Sequence, residues 1–569
     1  MIRRLIFNFS FALMLAALIY TTTGFSTNEA PSFTPDKVPF KKISEIISGK
    51  KISEEFKNVS LFDLQKNPSP NADAGVFVRD ATILKIKNEK KNELLASRSE
   101  NISFEIPTGN TVMILDLMQS TPVSEDFRLM EKNELGTRVV SYRQGLHYNG
   151  IIRGKENSLA SVSIFENFIM GIISDETGNY VLGSVKDNGN NFTDEYIFYN
   201  DANMLVQNSF KCGNDNYEDK LIRTLAETRN ELDNSGGNNT AARLPVKVYF
   251  EADNKLYTDE NSDIQNVANF ITGFFNSVKT IYQNESIPFV VSSIAAWTVP
   301  DPYRNINDSY PILTLFGGNT KDDFQGNIAH LLSTRNAGLG GIAWIRVLCS
   351  EYNPNDSSGR FAFSNMEHNY NNFPTYSWTV EVVTHEMGHS VGSRHTHACA
   401  WPVGPGGSIK AIDSCFTNEG CTFQTRPRIG TIMSYCHLTA PQGGINLSLG
   451  FGQFPGDTIR LRYAQARCFD QALNSSERPV SFSLIQNFPN PFNPSTMIRF
   501  ALPVEANVSL RIFDANGKQI AELLNERYYD AGIYSVEFNA AAYNLSSGIY
   551  FYKISAGSFT ETKRMVLIK

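Results

Sequence analysis

The run His385-Glu386-Met387-Gly388-His389-Ser390-Val391-Gly392-Ser393-Arg394-His395 holds the residue types and spacing best suited to chemistry. Two histidines four apart on a helix project from one face, one turn above the other, so their imidazoles can share a metal ion. Glu386 lies about 100° round the helix from His385, too far to ligate from that face but near enough to reach a water on the metal. Gly392 can take positive φ, end the helix and turn the chain so that His395 meets the same ion from the far side. Three neutral nitrogens with one open position are the donor set of a catalytic zinc site rather than a closed structural one. The chemistry this allows is hydrolysis. Zinc would hold the attacking water, polarise a carbonyl and stabilise its oxyanion, while Glu386 takes the water's proton and passes it to the leaving amine.

These side chains need elements to hold them. Residues 378–391 read as the helix that carries them, with Ser377 as N-cap. Upstream, residues 246–250 alternate as a strand, and 287–292 read as a second one. Between them Val267, Phe270, Ile271, Phe274, Phe275 and Val278 recur at helical spacing within residues 264–282. A glycine-rich run, Gly338-Leu339-Gly340-Gly341-Ile342-Ala343-Trp344-Ile345, precedes Cys349.

The glycine and third histidine extend the two-histidine pattern, and Gly430-Thr431-Ile432-Met433-Ser434-Tyr435-Cys436-His437 follows. Together they resemble the zinc signature and methionine turn of the metzincin metalloproteases. The alternation of strands and helices before the zinc helix is most similar to the reprolysin or adamalysin branch, over residues 241–470. The resemblance implies an α/β (α+β) catalytic domain with a mixed twisted sheet and an active-site helix. It makes His385, His389 and His395 the zinc ligands, Glu386 the catalytic base and Met433 a structural support beneath the metal. It also implies that Gly340, Gly341, Ile342, Ala343 and Trp344 form an edge strand that holds substrate by β-augmentation; glycines placed for packing in an ordinary strand are the alternative.

Two positions depart from that branch. Tyr435 stands where reprolysins carry proline, and in the astacin and serralysin branches such a tyrosine assists the oxyanion, so its role is open between catalysis and packing. Thr396 stands where reprolysins carry aspartate. His397 is not needed as a ligand, and His330 and His437 read as core or surface residues.

The chain of 569 residues is too long for one core, and its 41% apolar and 19% charged content is globular. A net charge of −7 offers no basic field for nucleic acid. Arg3-Arg4, an apolar run over 5–20 and a polar 21–26 have the shape of a signal peptide, with an uncleaved anchor as the alternative. No transmembrane segment is expected in the mature protein. Six of the seven cysteines, Cys349, Cys399, Cys415, Cys421, Cys436 and Cys468, cluster around the zinc motif and read as three disulfides of an exported protein. The reprolysin resemblance pairs Cys349 with Cys468, and the other four can pair in three ways.

Residues from about 27 to 210 are β-rich, and His147 to Gly154, Ser158 to Ser163 and Gly171 to Ile173 are similar to the propeptide of reprolysin-type proteases. The leftover cysteine, in Phe210-Lys211-Cys212-Gly213, matches the core of a metzincin cysteine switch, in which a thiolate fills the open zinc position. A cysteine left for intermolecular pairing is the alternative. A polar stretch, Asn234 to Thr240, suits proteolytic nicking. After a linker over 471–484, residues 485–569 read as an immunoglobulin-like β-sandwich. Gln486 to Thr496, Ser547 to Tyr552 and Lys563 to Lys569 resemble the C-terminal sorting domain of type IX secretion cargo, against the alternative of a generic spacer.

The sequence therefore reads as signal peptide 1–26, propeptide 27–240, catalytic domain 241–470, linker 471–484 and sorting domain 485–569. The function expected is a zinc endopeptidase made as a latent precursor, acting on proteins or peptides. The signal peptide would take it across the inner membrane, and the type IX machinery across the outer one, to the surface or medium. The alternative is a surface adhesin on an inactive metzincin scaffold, which would have no need of Glu386. Calcium is left open by the sequence, as are the natural substrate and the oligomeric state.

Overall fold

The computed structural model describes residues 42–206, 210–214, 244–335, 338–366, 373–404, 408–416, 427–439, 444–469, 482–487, 490–529 and 532–568. The signal peptide, the stretch 234–240, most of the linker 471–484 and Cys421 lie outside them. No described helix is long and apolar enough to cross a membrane.

The N-terminal region is β-rich as expected. Ten strands between Lys57 and Asn200 form one sheet. Its pairings are antiparallel except that of Lys57–Ser60 with Asn101–Thr108. Strands such as Leu146–Ile152, Leu159–Ile164 and Ile169–Asp175 are buried on both faces. One face forms its own core around Phe104, Leu117, Tyr148, Val162 and Phe198. The other joins the core of the next region through Phe168, Met170 and Ile172.

That next region contains a mixed sheet of seven strands. Their order is Ile342–Ala343, Phe361–Asn365, Ile328–Ser333, Val246–Ala252, Phe289–Trp297, Val123–Asn133 and Gly136–Val140. The pairings are parallel except at the two outermost positions. The last two strands belong to the N-terminal region, so the sheet is not built from residues 241–470 alone. The helix Ile264–Asn284 is started by Asp263, whose carboxylate accepts from Gln265 N at 2.7 Å. It buries Phe270, Ile271, Phe274, Phe275, Val278 and Ile281 in the main core, each worth about 1.5–3 kcal/mol in transfer terms.

The helix carrying the histidines runs Tyr376–Val391. Its start differs from the expected Ser377 cap: Thr375 precedes it without a side-chain capping bond. Ser377 lies in the first turn, where its hydroxyl faces Asp201 of the N-terminal region. Burial of Phe373 and Tyr376 in the core holds this end instead. The glycine-rich run is also shorter as a strand than expected, since sheet pairing is confined to Ile342–Ala343. The Gly340 and Gly341 backbones close on Lys211 and Glu386 rather than on the neighbouring strand.

Two disulfides join described residues, Cys349–Cys468, the pair the resemblance implied, and Cys415–Cys436. Cys399 is also disulfide-bonded. Cys212 is in none.

The C-terminal region contains a three-stranded and a four-stranded sheet. They share a core that includes Ile498, Phe500 and Phe538 from one, and Leu510, Ile512, Tyr552 and Met565 from the other. The strand Gln519–Tyr529 was not anticipated, because only two of its eleven residues are buried and its pattern carries little apolar alternation.

Candidate active site

The helix Tyr376–Val391 turns two faces to different tasks. Val380, Val383, Met387 and Val391 recur at spacings of three and four and enter the core. Tyr282 O–H donates to Thr384 O at 3.1 Å and ties this helix to Ile264–Asn284. At Gly388 a Cβ would stand 2.7 Å from the Phe451 ring and 2.8 Å from Met433 Sδ, so only glycine lets the methionine turn close under the histidines. Gly392, at φ +132°, ends the helix as the sequence suggested.

The turn returns His395 to the other two histidines. His395 Nε2 lies 3.1 Å from His389 Nε2 and 3.1 Å from His385 Nε2. On the opposite side of the rings, His385 Nδ1 is 2.8 Å from Ile432 O, and His389 Nδ1 is 2.8 Å from Ser393 O. A carbonyl only accepts, so these Nδ1 atoms carry the protons and leave the Nε2 lone pairs facing inward. Lone pairs that converge at 3.1 Å repel one another unless a cation lies among them. Backbone carbonyls that hold ligating histidines in this way are the usual outer shell of a metal site. The donor set fits zinc.

A fourth donor comes from far upstream. Cys212 Sγ and the three histidine nitrogens all lie within 4.8 Å of one another, and all four residues are buried. The thiol also stands 3.5 Å from Glu386 Oε2. Tyr435 fixes the cysteine backbone: its hydroxyl accepts from Cys212 N at 3.0 Å and lies 3.1 Å from Cys212 O, and it is 3.4 Å from His395 Nε2. The structure therefore brings together every residue singled out at the centre, namely His385, His389, His395, Glu386, Met433, Tyr435 and Cys212.

Residues flanking Cys212 lie along the glycine-rich edge. Gly213 N donates to Gly341 O at 2.6 Å. Asn214 meets Ala343 twice, Nδ2 to O and Oδ1 from N, each at 3.1 Å. A Cβ on Gly340 would stand 1.6 Å from Lys211 O, and one on Gly341 would stand 2.1 Å from Glu386 Oε1. Both glycines are required by close approach. Trp344 is buried, its ring 6.2 Å from that of Tyr310. Phe210 sets its ring 5.5 Å from that of His385, and its carbonyl accepts from His437 Nε2 at 2.9 Å.

Phe210, Asn214 and the carbonyls of Ile432 and Ser393 were missed by the sequence reading. Backbone acceptors leave no mark in sequence, and nothing in the type of Phe210 or Asn214 singles it out. His397 is outside the metal-binding group; it stacks on His395 with ring centres 4.8 Å apart. His330 and His437 are core residues. His330 Nε2 lies 2.8 Å from Ser364 Oγ, and burial lowers its pKa to about 3. Burial lowers that of His437 to about 4.

Comparison with known proteins agrees with this centre. Residues 243–442 match the family model described as metallo-peptidase family M12. The chain carries a family M12 metallopeptidase domain. Residues 486–569 match the secretion system C-terminal sorting domain, which supports export by type IX secretion to the cell surface or beyond. Among solved structures, the chain matches metalloproteinase-II from Bacteroides fragilis at 11% identity, covering 55% of this chain and 86% of that one, with a TM-score of 0.30. It also matches OgpA from Akkermansia muciniphila at 10% identity, covering 59% and 95%, with a TM-score of 0.19. At these TM-scores neither likeness carries weight. The metallopeptidase domain supports zinc-dependent hydrolysis of protein substrates.

Proposed function

We propose that the protein is a zinc endopeptidase exported as a latent precursor, with residues 27–240 as its propeptide. His385, His389 and His395 would hold the metal. Bound there, zinc would supply a Lewis acid and lower the pKa of a coordinated water toward neutrality. Glu386 is the base that takes a proton from the attacking water and passes it to the leaving amine. Peptide would pair with the backbone of Gly340 to Trp344 by strand addition. Tyr435 O–H, released from the Cys212 backbone, is then available to hydrogen-bond the oxygen on which charge develops. In the precursor Cys212 would supply a fourth donor to the metal, and Lys211 to Asn214 cover the edge.

The observation that carries this reading is the gathering of Cys212 Sγ with three histidine nitrogens in one buried group. The test compares full-length and propeptide-trimmed protein for hydrolysis of a quenched peptide, with metal content measured on both. Trimmed protein should be active, silenced by chelator and restored by zinc. Metal-loaded trimmed protein that cleaves no peptide or protein would favour a binding role on this scaffold.

A further inference from the structure

The strands Thr111–Ser120 and Leu146–Ile152 are antiparallel neighbours in the N-terminal sheet, so a short turn could join them. Residues 121–145 instead leave that sheet. They lay the hairpin of Val123–Asn133 and Gly136–Val140 along Phe289–Trp297, at the edge of the metallopeptidase sheet opposite Ile342–Ala343. Pairing runs from Ser293 opposite Arg128 to Trp297 opposite Lys132. It continues beyond the strand through Thr298 N to Lys132 O at 3.0 Å. Leu129 enters the main core, and Met130 packs on a second core cluster.

At this junction lies Glu251, fully buried on the strand Val246–Ala252. Its carboxylate accepts from Trp297 Nε1 at 2.6 Å, Tyr249 O–H at 2.8 Å and Tyr303 O–H at 3.0 Å. Its one cationic partner among the described residues is Lys132 of the hairpin. Without Lys132, Glu251 is a buried carboxylate held by neutral donors alone, and such a loss is costly.

The rest of the contact has a different character. The helix Ile264–Asn284 meets the N-terminal region through apolar packing, with Met170 and Phe165 over Gly273 inside the shared core, and through polar groups beside it. Asn276 Nδ2 donates to Tyr148 O at 2.8 Å, Thr272 Oγ1 is 2.9 Å from Tyr142 O–H, and Lys279 Nζ donates to Thr121 O at 2.8 Å. Water can replace the polar partners on release, whereas the apolar packing adds to retention of the N-terminal region.

We propose that the hairpin is a latch independent of the covalent connection. On this account, the N-terminal region cut within residues 215–243 stays bound as a non-covalent inhibitory subunit, held by strand addition at Phe289–Trp297 and by the Lys132–Glu251 pair. Its departure, not the cut, opens the site. This rests on the propeptide reading above.

The test places a specific protease site within residues 215–243 of the full chain, cuts it, and follows the two fragments by gel filtration under native conditions. Wild-type fragments should co-elute. Lys132→Met should speed their separation by about tenfold to a hundredfold, and Lys132→Arg should restore retention. Glu251→Gln provides a second route should Lys132→Met fail to fold, and should also speed separation. Wild-type fragments that part on the column, or charge-removing variants that part as slowly as wild type, would overturn the latch. Fragments that co-elute while the cut protein hydrolyses peptide would overturn the inhibitory role of the bound fragment and the claim that its departure opens the site.

Discussion

In the proposed function Glu386 is the base and the histidines beside it are the ligands, and substitution should separate the two roles. Glu386→Gln keeps the ligands and loses the base, so peptide hydrolysis by trimmed protein should fall by about 10²–10⁴ while about one zinc per chain is retained. Activity near wild type would remove Glu386 from the mechanism. His389→Ala should lose the metal itself, read by elemental analysis. Cys212 makes the complementary case. Cys212→Ser withdraws the sulfur from the metal group but leaves Gly213 and Asn214 bonded to the glycine-rich edge. The uncut precursor should therefore gain partial rather than full activity. A mutant precursor as silent as wild type, with an active trimmed form, would show that backbone cover alone confers latency.

At the scale of elements, the site depends on where one helix stops. Gly392 sits at φ +132°, and a Cβ there would also stand 2.9 Å from Arg462 Cγ. Gly392→Ala should cost roughly 1–2 kcal/mol in backbone strain and displace His395. Thermal unfolding and zinc retention against a chelator would both report it, and unchanged values for both would refute the argument. This element was legible because its histidines and its apolar stripe share one helical period, and because glycine follows at the right offset. Its start was not legible, since packing of Phe373 and Tyr376 overrides any capping signal there. The strands Ile328–Ser333 and Phe361–Asn365 were also missed. Both are short and buried on both faces, so no alternation marks them.

At the scale of the molecule, buried histidines set an acid limit. His147 and His330 are fully buried, and burial lowers each pKa from 6.5 to about 3. Above pH 6.5 neither state binds the extra proton and the difference is silent. As pH falls from about 6.5 toward 3, the unfolded chain takes up protons that the folded one refuses, so stability drops across that window. His330→Gln should flatten the fall in melting temperature relative to wild type between those values, and an identical slope would contradict the argument. The other end of the chain should govern export. Truncation before about residue 484 should leave a folded metallopeptidase domain in the periplasm, detected by fractionation and by activity after trimming. A truncated chain that still reaches the medium would refute a sorting role for the tail.

The sequence by itself determined the metallopeptidase domain and the sorting tail. Both are written in side chains at fixed short offsets, which survive without knowledge of the fold. It also singled out Cys212, because thiol chemistry leaves few uses for a lone cysteine upstream of a zinc motif, and the structure sets its Sγ beside the three histidine nitrogens. Only the tertiary structure decided what holds these parts in place. The carbonyls of Ile432 and Ser393 that orient the imidazoles are backbone groups common to every residue. Tyr435 became interpretable only when its hydroxyl met the Cys212 backbone. The N-terminal hairpin that completes the metallopeptidase sheet pairs residues far apart in the chain. Strand pairing at that separation is chosen by packing against a shared core, and no local pattern encodes it.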